Sequence, residues 1–182
     1  MNAIDPVISH ILRGLLALVF AAAAYHKLSG LRAFRDTLAN YQLVPEILLW
    51  PMTAAIVAIE SAVTVSLLWP AASTAAPTVA ACVLAIYAVA IAINLLRGRS
   101  SIDCGCSGPA VRQSLSAGLI VRNITLVVCC WLITLDTVAR PLAGLDAGTV
   151  LFGMVGLFLI YMTSNRLLAG SVQLRELISH DQ

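Results

Sequence analysis

Two cysteines separated by one glycine, Cys104 and Cys106, are the residues best suited to chemistry in this chain. They lie in the run N-L-L-R-G-R-S-S-I-D-C-G-C-S-G-P from Asn94 to Pro109, a polar, turn-rich stretch between apolar segments. Gly105 and Gly108 supply backbone angles that a Cβ would obstruct. Thiols this close form a small, strained ring on oxidation, and strained disulfides belong with exchange chemistry rather than with permanent staples. Arg97, Arg99 and, from the next helix, Arg122 would favour the attacking thiolate. A structural metal site wants about four ligands. The other cysteines are far away, and His10, His26 and His180 form no spaced set with the pair, so metal ranks below exchange, as does an inert pair.

A second group comprises Cys82, Cys129 and Cys130. Cys82 precedes Arg97 by 15 residues and Cys129 follows Ser114 by 15. On antiparallel helices both lie about 22 Å from the same face. They either meet as a second dithiol, a relay for the first, or serve as ordinary small apolar residues in helix packing. Packing is the simpler reading.

Two charges stand inside apolar segments. Arg13 lies 14 residues before Lys27, and Glu60 lies 14 residues after Glu46. Both counts correspond to about 21 Å from one face. An isolated charge at a helix centre costs about 2.5–3.5 kcal/mol on insertion scales, and pairing reduces that. The spacing predicts an Arg13–Glu60 ion pair, either a clamp between helices or a proton or substrate site. Arg122 and Asn123 sit about 12 Å from that face by the same rise, and Asn94 lies near it. The two asparagines suit interhelical hydrogen bonds, and Arg122 could lie under the cysteine loop.

The elements that must position these groups are membrane helices. Of 182 residues, 60% are hydrophobic and 11% charged, whereas soluble domains carry about a quarter charged. The net charge of +2 and the absence of a basic run exclude nucleic acid as a partner. Segments at about 7–27, 46–69, 77–97, 115–138 and 145–165 approach the roughly 20 apolar residues needed to span a bilayer. Prolines fall at or near their boundaries. The expected fold is an all-α, polytopic transmembrane bundle of about five helices, a single integral membrane domain over 1–182. The first apolar segment is expected to remain as a helix rather than be cleaved, because no positive n-region precedes it.

Five crossings place 26–45, 98–114 and the C-terminal tail on one face. That face collects Lys27, Arg32, Arg35, Arg97, Arg99, Arg112, Arg166 and Arg175, and the other only Arg140. The positive-inside rule then makes the cysteine face cytoplasmic.

The pattern N-x-x-R-G-R-x-x-I-D-C-G-C-x-G over Asn94–Gly108 resembles the methylamine utilisation protein MauE family, which is related to the DoxX-like membrane proteins. Arg13, Lys27, Asn40-Tyr41-x-x-x-Pro45, Glu60 and Arg122-Asn123 extend the resemblance over most of residues 10–130. Ser107 stands where the family commonly has Phe, which removes a hydrophobic contact but leaves both thiols. The resemblance implies a DoxX-like four-helix core plus a C-terminal helix, placed in the bacterial inner membrane. It implies a redox pair at Cys104 and Cys106 that assists disulfide formation in the methylamine dehydrogenase β subunit. The partner it implies is a membrane-anchored thioredoxin-like protein of the MauD kind.

That client is periplasmic, whereas the charge bias places the cysteines inside. A relay through Cys82 and Cys129 or Cys130, a loop cavity reached from outside, and the reverse orientation each reconcile the two. No cofactor is required by the sequence; a quinone as electron acceptor stays open, because no sequence feature fixes a pocket for one. Competing readings are a non-catalytic membrane scaffold for maturation factors and a small-molecule transporter using Arg13 and Glu60. The transporter lacks the inverted repeat and paired broken helices common in such proteins.

Overall fold

The computed structural model describes residues 3–69, 75–100, 102–105 and 113–180, with side chains described as far as Gly170. Cys106 and Arg112 lie outside the described residues, as does the side chain of Arg175. Among the described residues there are six α-helices: α1 (Pro6–Ser29), α2 (Leu31–Tyr41), α3 (Leu49–Leu68), α4 (Ala76–Leu96), α5 (Ala117–Ile133) and α6 (Gly144–His180). A 3-10 turn, Glu46–Leu48, leads into α3. The fold is a polytopic helical membrane bundle. Helices α1, α3 with its 3-10 turn, α4 and α6 are long and apolar enough to cross a bilayer, and α5 is a shorter apolar helix.

Local chemistry sets several boundaries. Asp5 caps α1 by accepting from the Val7 amide at 2.8 Å, and Pro6 at the first helical position gives up an N–H that had no partner to lose. Within the bilayer the helix-interior backbone groups are satisfied inside their own helix. The main core lies at the middle of the bundle. There Leu12, Leu16, Val19 and Phe20 of α1 interlock with Val63 and Leu67 of α3, Leu84 of α4, and Leu126 and Ile133 of α5. Helix α6 closes on α1 through small residues: a Cβ on Gly153 would come within 2.7 Å of Ile11 Cδ1. Close backbone approach at glycine is a common mode of helix association in lipid.

Both ends of the bundle are tied. At one, Ile4 bridges Thr137, and Arg140 binds Asp5 and Asp146. At the other, α2 lies against the cysteine loop, where Tyr41 Oη donates to the Cys104 carbonyl at 3.4 Å. The chain thus traverses the bundle four times between Asp5 and Arg140, and α5, at 17 residues, is one of those traverses. Its length is at the short limit for a spanning helix.

The segment 26–45, expected as a loop, is in part helical. Phe34, Thr37, Leu38 and Tyr41 recur at helical spacing on the inner face of α2, while Arg32 and Asp36 are exposed. This is the pattern of a helix lying in the membrane interface rather than crossing it. The last helix also outruns expectation, continuing to His180 rather than ending near 165. Its 37 residues correspond to about 56 Å, well beyond the roughly 30 Å hydrocarbon core.

Candidate functional site

The cysteine loop begins where α4 stops. Gly98 adopts φ +72°, and the Arg99 amide donates to the Asn94 carbonyl at 2.9 Å, turning the chain back. A small clasp then holds Cys104. Its amide donates to the Gln113 carbonyl at 2.8 Å, Asp103 bridges Ser114, and the Leu115 amide donates to the Ser100 and Ile102 carbonyls. Asp103 Oδ1 accepts from the Gly105 amide at 3.1 Å, which closes the turn on the cysteine motif. Gly105 has φ +74° and lies against α2, so a Cβ there would sit 3.0 Å from Thr37 Cγ2 and 3.5 Å from the Phe34 ring. Both the backbone angle and the close approach call for glycine.

Cys104 is only 7% exposed and packs with Tyr41, Ile91, Leu115 and Leu119. The sequence places it in a polar turn; the clasp and α2 bury it. Arg97 is exposed and Arg99 half-buried at the end of α4.

Arg13 does not meet Glu60. Lys27 does, with Nζ 2.6 Å from Oε1 and 2.8 Å from Oε2, and Tyr87 Oη donates to Oε1 at 2.7 Å. The expected pairing assumed that Lys27 and Glu46 begin at one level. In the fold α2 and the 3-10 turn intervene between α1 and α3. Val63 and Leu67 already pack against the middle of α1, so Glu60 falls near the α1 C-terminus, within reach of Lys27. Arg13 remains half-buried on α1, with Nη1 buried and without a hydrogen-bond partner among the described residues. The aromatic faces of Phe34 and Tyr87 lie 5.0 and 5.4 Å from Lys27 Nζ, further sheltering the ammonium.

Two cavities flank this pair. The first, of about 240 Å³, is polar for a membrane interior, with Glu60, Tyr87, His26, Arg122, Asn123 and Asn165 in its wall. The second, of about 200 Å³, lies between α2, α3 and α4 and has Lys27, Tyr87 and Cys104 among otherwise mostly apolar walls. Arg122 belongs to the first: Nη1 donates to Asn165 Oδ1 at 3.0 Å and Nη2 to Asn123 Oδ1 at 3.2 Å, with the Tyr161 ring 5.9 Å from the guanidinium carbon. It lines that cavity and ties α5 to α6; the wall that holds Cys104 is made by other residues. Asn94 is fully buried and donates to the Ala90 carbonyl within its own helix at 3.1 Å.

Cys82, Cys129 and Cys130 are free thiols. Cys130 is buried in the main core and Cys129 packs at its edge, whereas Cys82 is exposed on α4 between Ala81 and Val83, the residues that pack against that core. No disulfide links the three. Among the described residues no three His, Cys, Asp or Glu side chains come together to hold a metal.

Sequence reasoning missed Lys27 as the partner of Glu60, gave Tyr41 no role beyond the family resemblance, and missed Tyr87, Gln113 and Asn165 altogether. The first of these carried a signal: a lysine at a helix end preceding an amphipathic stretch is covered by it.

The family model described as methylamine utilisation protein MauE matches residues 5–136. Methylamine utilization protein MauE of Paracoccus denitrificans is 34% identical over 165 residues, 90% of this chain and 89% of its own. Its counterpart from Paracoccus versutus is 34% identical over 164 residues, 90% and 88% of the two chains. That of Methylorubrum extorquens is 31% identical over 166 residues, 91% and 89% of the two chains. No solved structure matches. With the motif, the helical bundle and near full-length likeness in agreement, the chain belongs to the MauE family.

Proposed function

We propose that this chain is the membrane thiol–disulfide component of a methylamine utilisation system, in which Cys104 and Cys106 cycle between dithiol and disulfide. Its relatives carry methylamine utilization in their names, and involvement in that system is the broad reading. The finer one is exchange with a membrane-anchored thioredoxin-like protein, which in turn oxidises thiols of the methylamine dehydrogenase β subunit.

The carrying observation is the clasp. Cys104 is held at its amide by Gln113 and at its carbonyl by Tyr41, and is followed by a glycine at φ +74°. A fixed sulfur beside a permissive hinge suits a pair that opens and closes. Because Cys104 is buried, a partner thiolate attacks Cys106, and Cys104 leaves as the thiolate. The partner's second thiol then resolves the mixed disulfide, leaving the partner oxidised and the pair reduced.

Single serine variants test this. Cys104→Ser keeps the attacked cysteine but removes the thiol that would re-form the internal disulfide, and should accumulate a mixed disulfide with the thioredoxin-like protein; Cys106→Ser should not. Full client maturation by both variants would sink the proposal and leave a non-catalytic scaffold, which predicts failure on disrupting helix packing instead.

A further inference from the structure

The cavity that contains Cys104 has the character of a ligand site rather than a packing defect. Phe34 and Leu38 of α2, Ile56 of α3 and Ile91 of α4 give it apolar walls. Cavities of this kind stay dry and take aromatic rings; an apolar void of about 150 Å³ suffices for benzene, and this one is about 200 Å³. Two lining residues, Met52 and Ile86, are 40% and 64% exposed on the bundle surface, which in this protein is hydrocarbon. A molecule dissolved in the bilayer therefore reaches the chamber without crossing polar ground.

Its walls carry two kinds of reactive group. Cys104 offers a sulfur. Lys27 offers a buried ammonium bound to Glu60, and Glu60 faces the neighbouring polar cavity. Tyr87 lines both chambers and donates to Glu60. An electron donor and a proton donor thus border one apolar space, and the proton donor is connected to a polar chamber through a carboxylate.

We propose that this cavity binds a lipid-soluble quinone that oxidises the Cys104/Cys106 dithiol. The proposal rests on the exchange function above, since each disulfide made in a client leaves two electrons on the pair that must pass to a carrier. Two S–H bonds break and one S–S bond forms between Cys104 and Cys106. The two electrons and two protons released convert the quinone to its quinol, with two O–H bonds formed. Lys27 donates a hydrogen bond to one quinone oxygen and delivers a proton as the charge on it rises. Glu60 passes a proton from the polar chamber back to Lys27, and one of the two thiol protons is released to solvent in its place, so that two protons in all reach the quinone.

Decylubiquinone, a short-chain benzoquinone, is the probe, added to the purified full chain in detergent. Calorimetry on the Cys104→Ser/Cys106→Ser double variant reads binding without redox chemistry. Saturable binding is expected there, weakened roughly tenfold by Ala90→Trp, which projects into the chamber from α4, and by Leu38→Trp, which does so from the less buried α2. Unfolding midpoints verify that each variant is folded, and either variant alone carries the test. The pre-reduced wild type should convert one quinone to quinol per cysteine pair, followed by loss of quinone absorbance. Exchange with thioredoxin but no quinone binding overturns this site and leaves the exchange function standing. Quinone binding without oxidation of the dithiol overturns the electron route.

Discussion

Lys27 Nζ bridges both carboxylate oxygens of Glu60, at 2.6 and 2.8 Å, with the two side chains 2% and 1% exposed. The pair joins α1 to α3 and separates a polar chamber from an apolar one. Burying two charges is costly, and that cost returns in full when one partner is removed. Lys27→Met or Glu60→Leu alone should therefore lower stability by about 3–5 kcal/mol. The double variant should recover most of the loss, because no charge is left stranded. Unfolding in mixed detergent reads both. Equal losses in the single and double variants would mean that the pair is not a coupled unit.

Gly98 and Gly105 share a left-handed backbone but differ in surroundings. A Cβ at Gly98 meets nothing within 4 Å, whereas one at Gly105 meets Thr37 at 3.0 Å. Gly98→Ala should carry only the backbone penalty of about 1–2 kcal/mol. Gly105→Ala should cost more and slow thiol exchange as well. Adding Thr37→Ser removes the contacted methyl and should relieve the excess but not the backbone share. Identical behaviour of the two glycine variants, measured by unfolding and exchange rate, would contradict the contact.

Asp5 lies outside the bilayer, and the Arg140 guanidinium beside it, aided by the Val7 amide, holds its carboxyl below the ordinary value. A depressed carboxyl contributes stability above the unfolded-state value of about 3.9 and loses it as pH falls through the folded value. The tie at this end should thus loosen below about pH 4. Hydrogen exchange at the Ile4 amide, bound to the Asp136 carbonyl at 2.8 Å, and at the Val138 amide, bound to Ile4 at 3.0 Å, reports it. Protection unchanged to pH 2, or pH dependence that persists when both carboxylates paired with Arg140 are removed in Asp5→Asn/Asp146→Asn, would contradict the assignment.

Sidedness is decided by labelling. Arg32, Arg35, Arg97 and Arg99 lie at the end that carries Cys104 and predict that a membrane-impermeant maleimide reaches Cys106 in Cys104→Ser only after cells are lysed. Direct exchange with a periplasmic partner requires labelling in intact cells. The two expectations exclude each other, so either result overturns one.

The bundle was legible because long apolar runs in lipid admit little besides helix; α1 and α4 begin and end within two residues of their expected bounds. The cysteine motif was legible from residue type and spacing. The interior was less so. Helical rise gives depth only relative to an assumed starting level, and α2 displaced that level, so Glu60 met Lys27 rather than Arg13. Burial of Cys104 was hidden for the same reason: Tyr41 packs on it while Phe34 and Thr37 close on Gly105 beside it, all three remote in sequence and carried by a helix too short to register as a span. The partnership of Arg122 with Asn165 required knowing that α6 folds back against α5.

Tyr87 lines both chambers and donates to Glu60, so it and the Lys27–Glu60 pair stand between them. On the proposed electron route, sulfur redox state and carboxylate charge are coupled variables. A midpoint potential measured for the cysteine couple has meaning only at a stated acidity, and a proton gradient across the bilayer becomes part of the force that sets how readily the couple is oxidised.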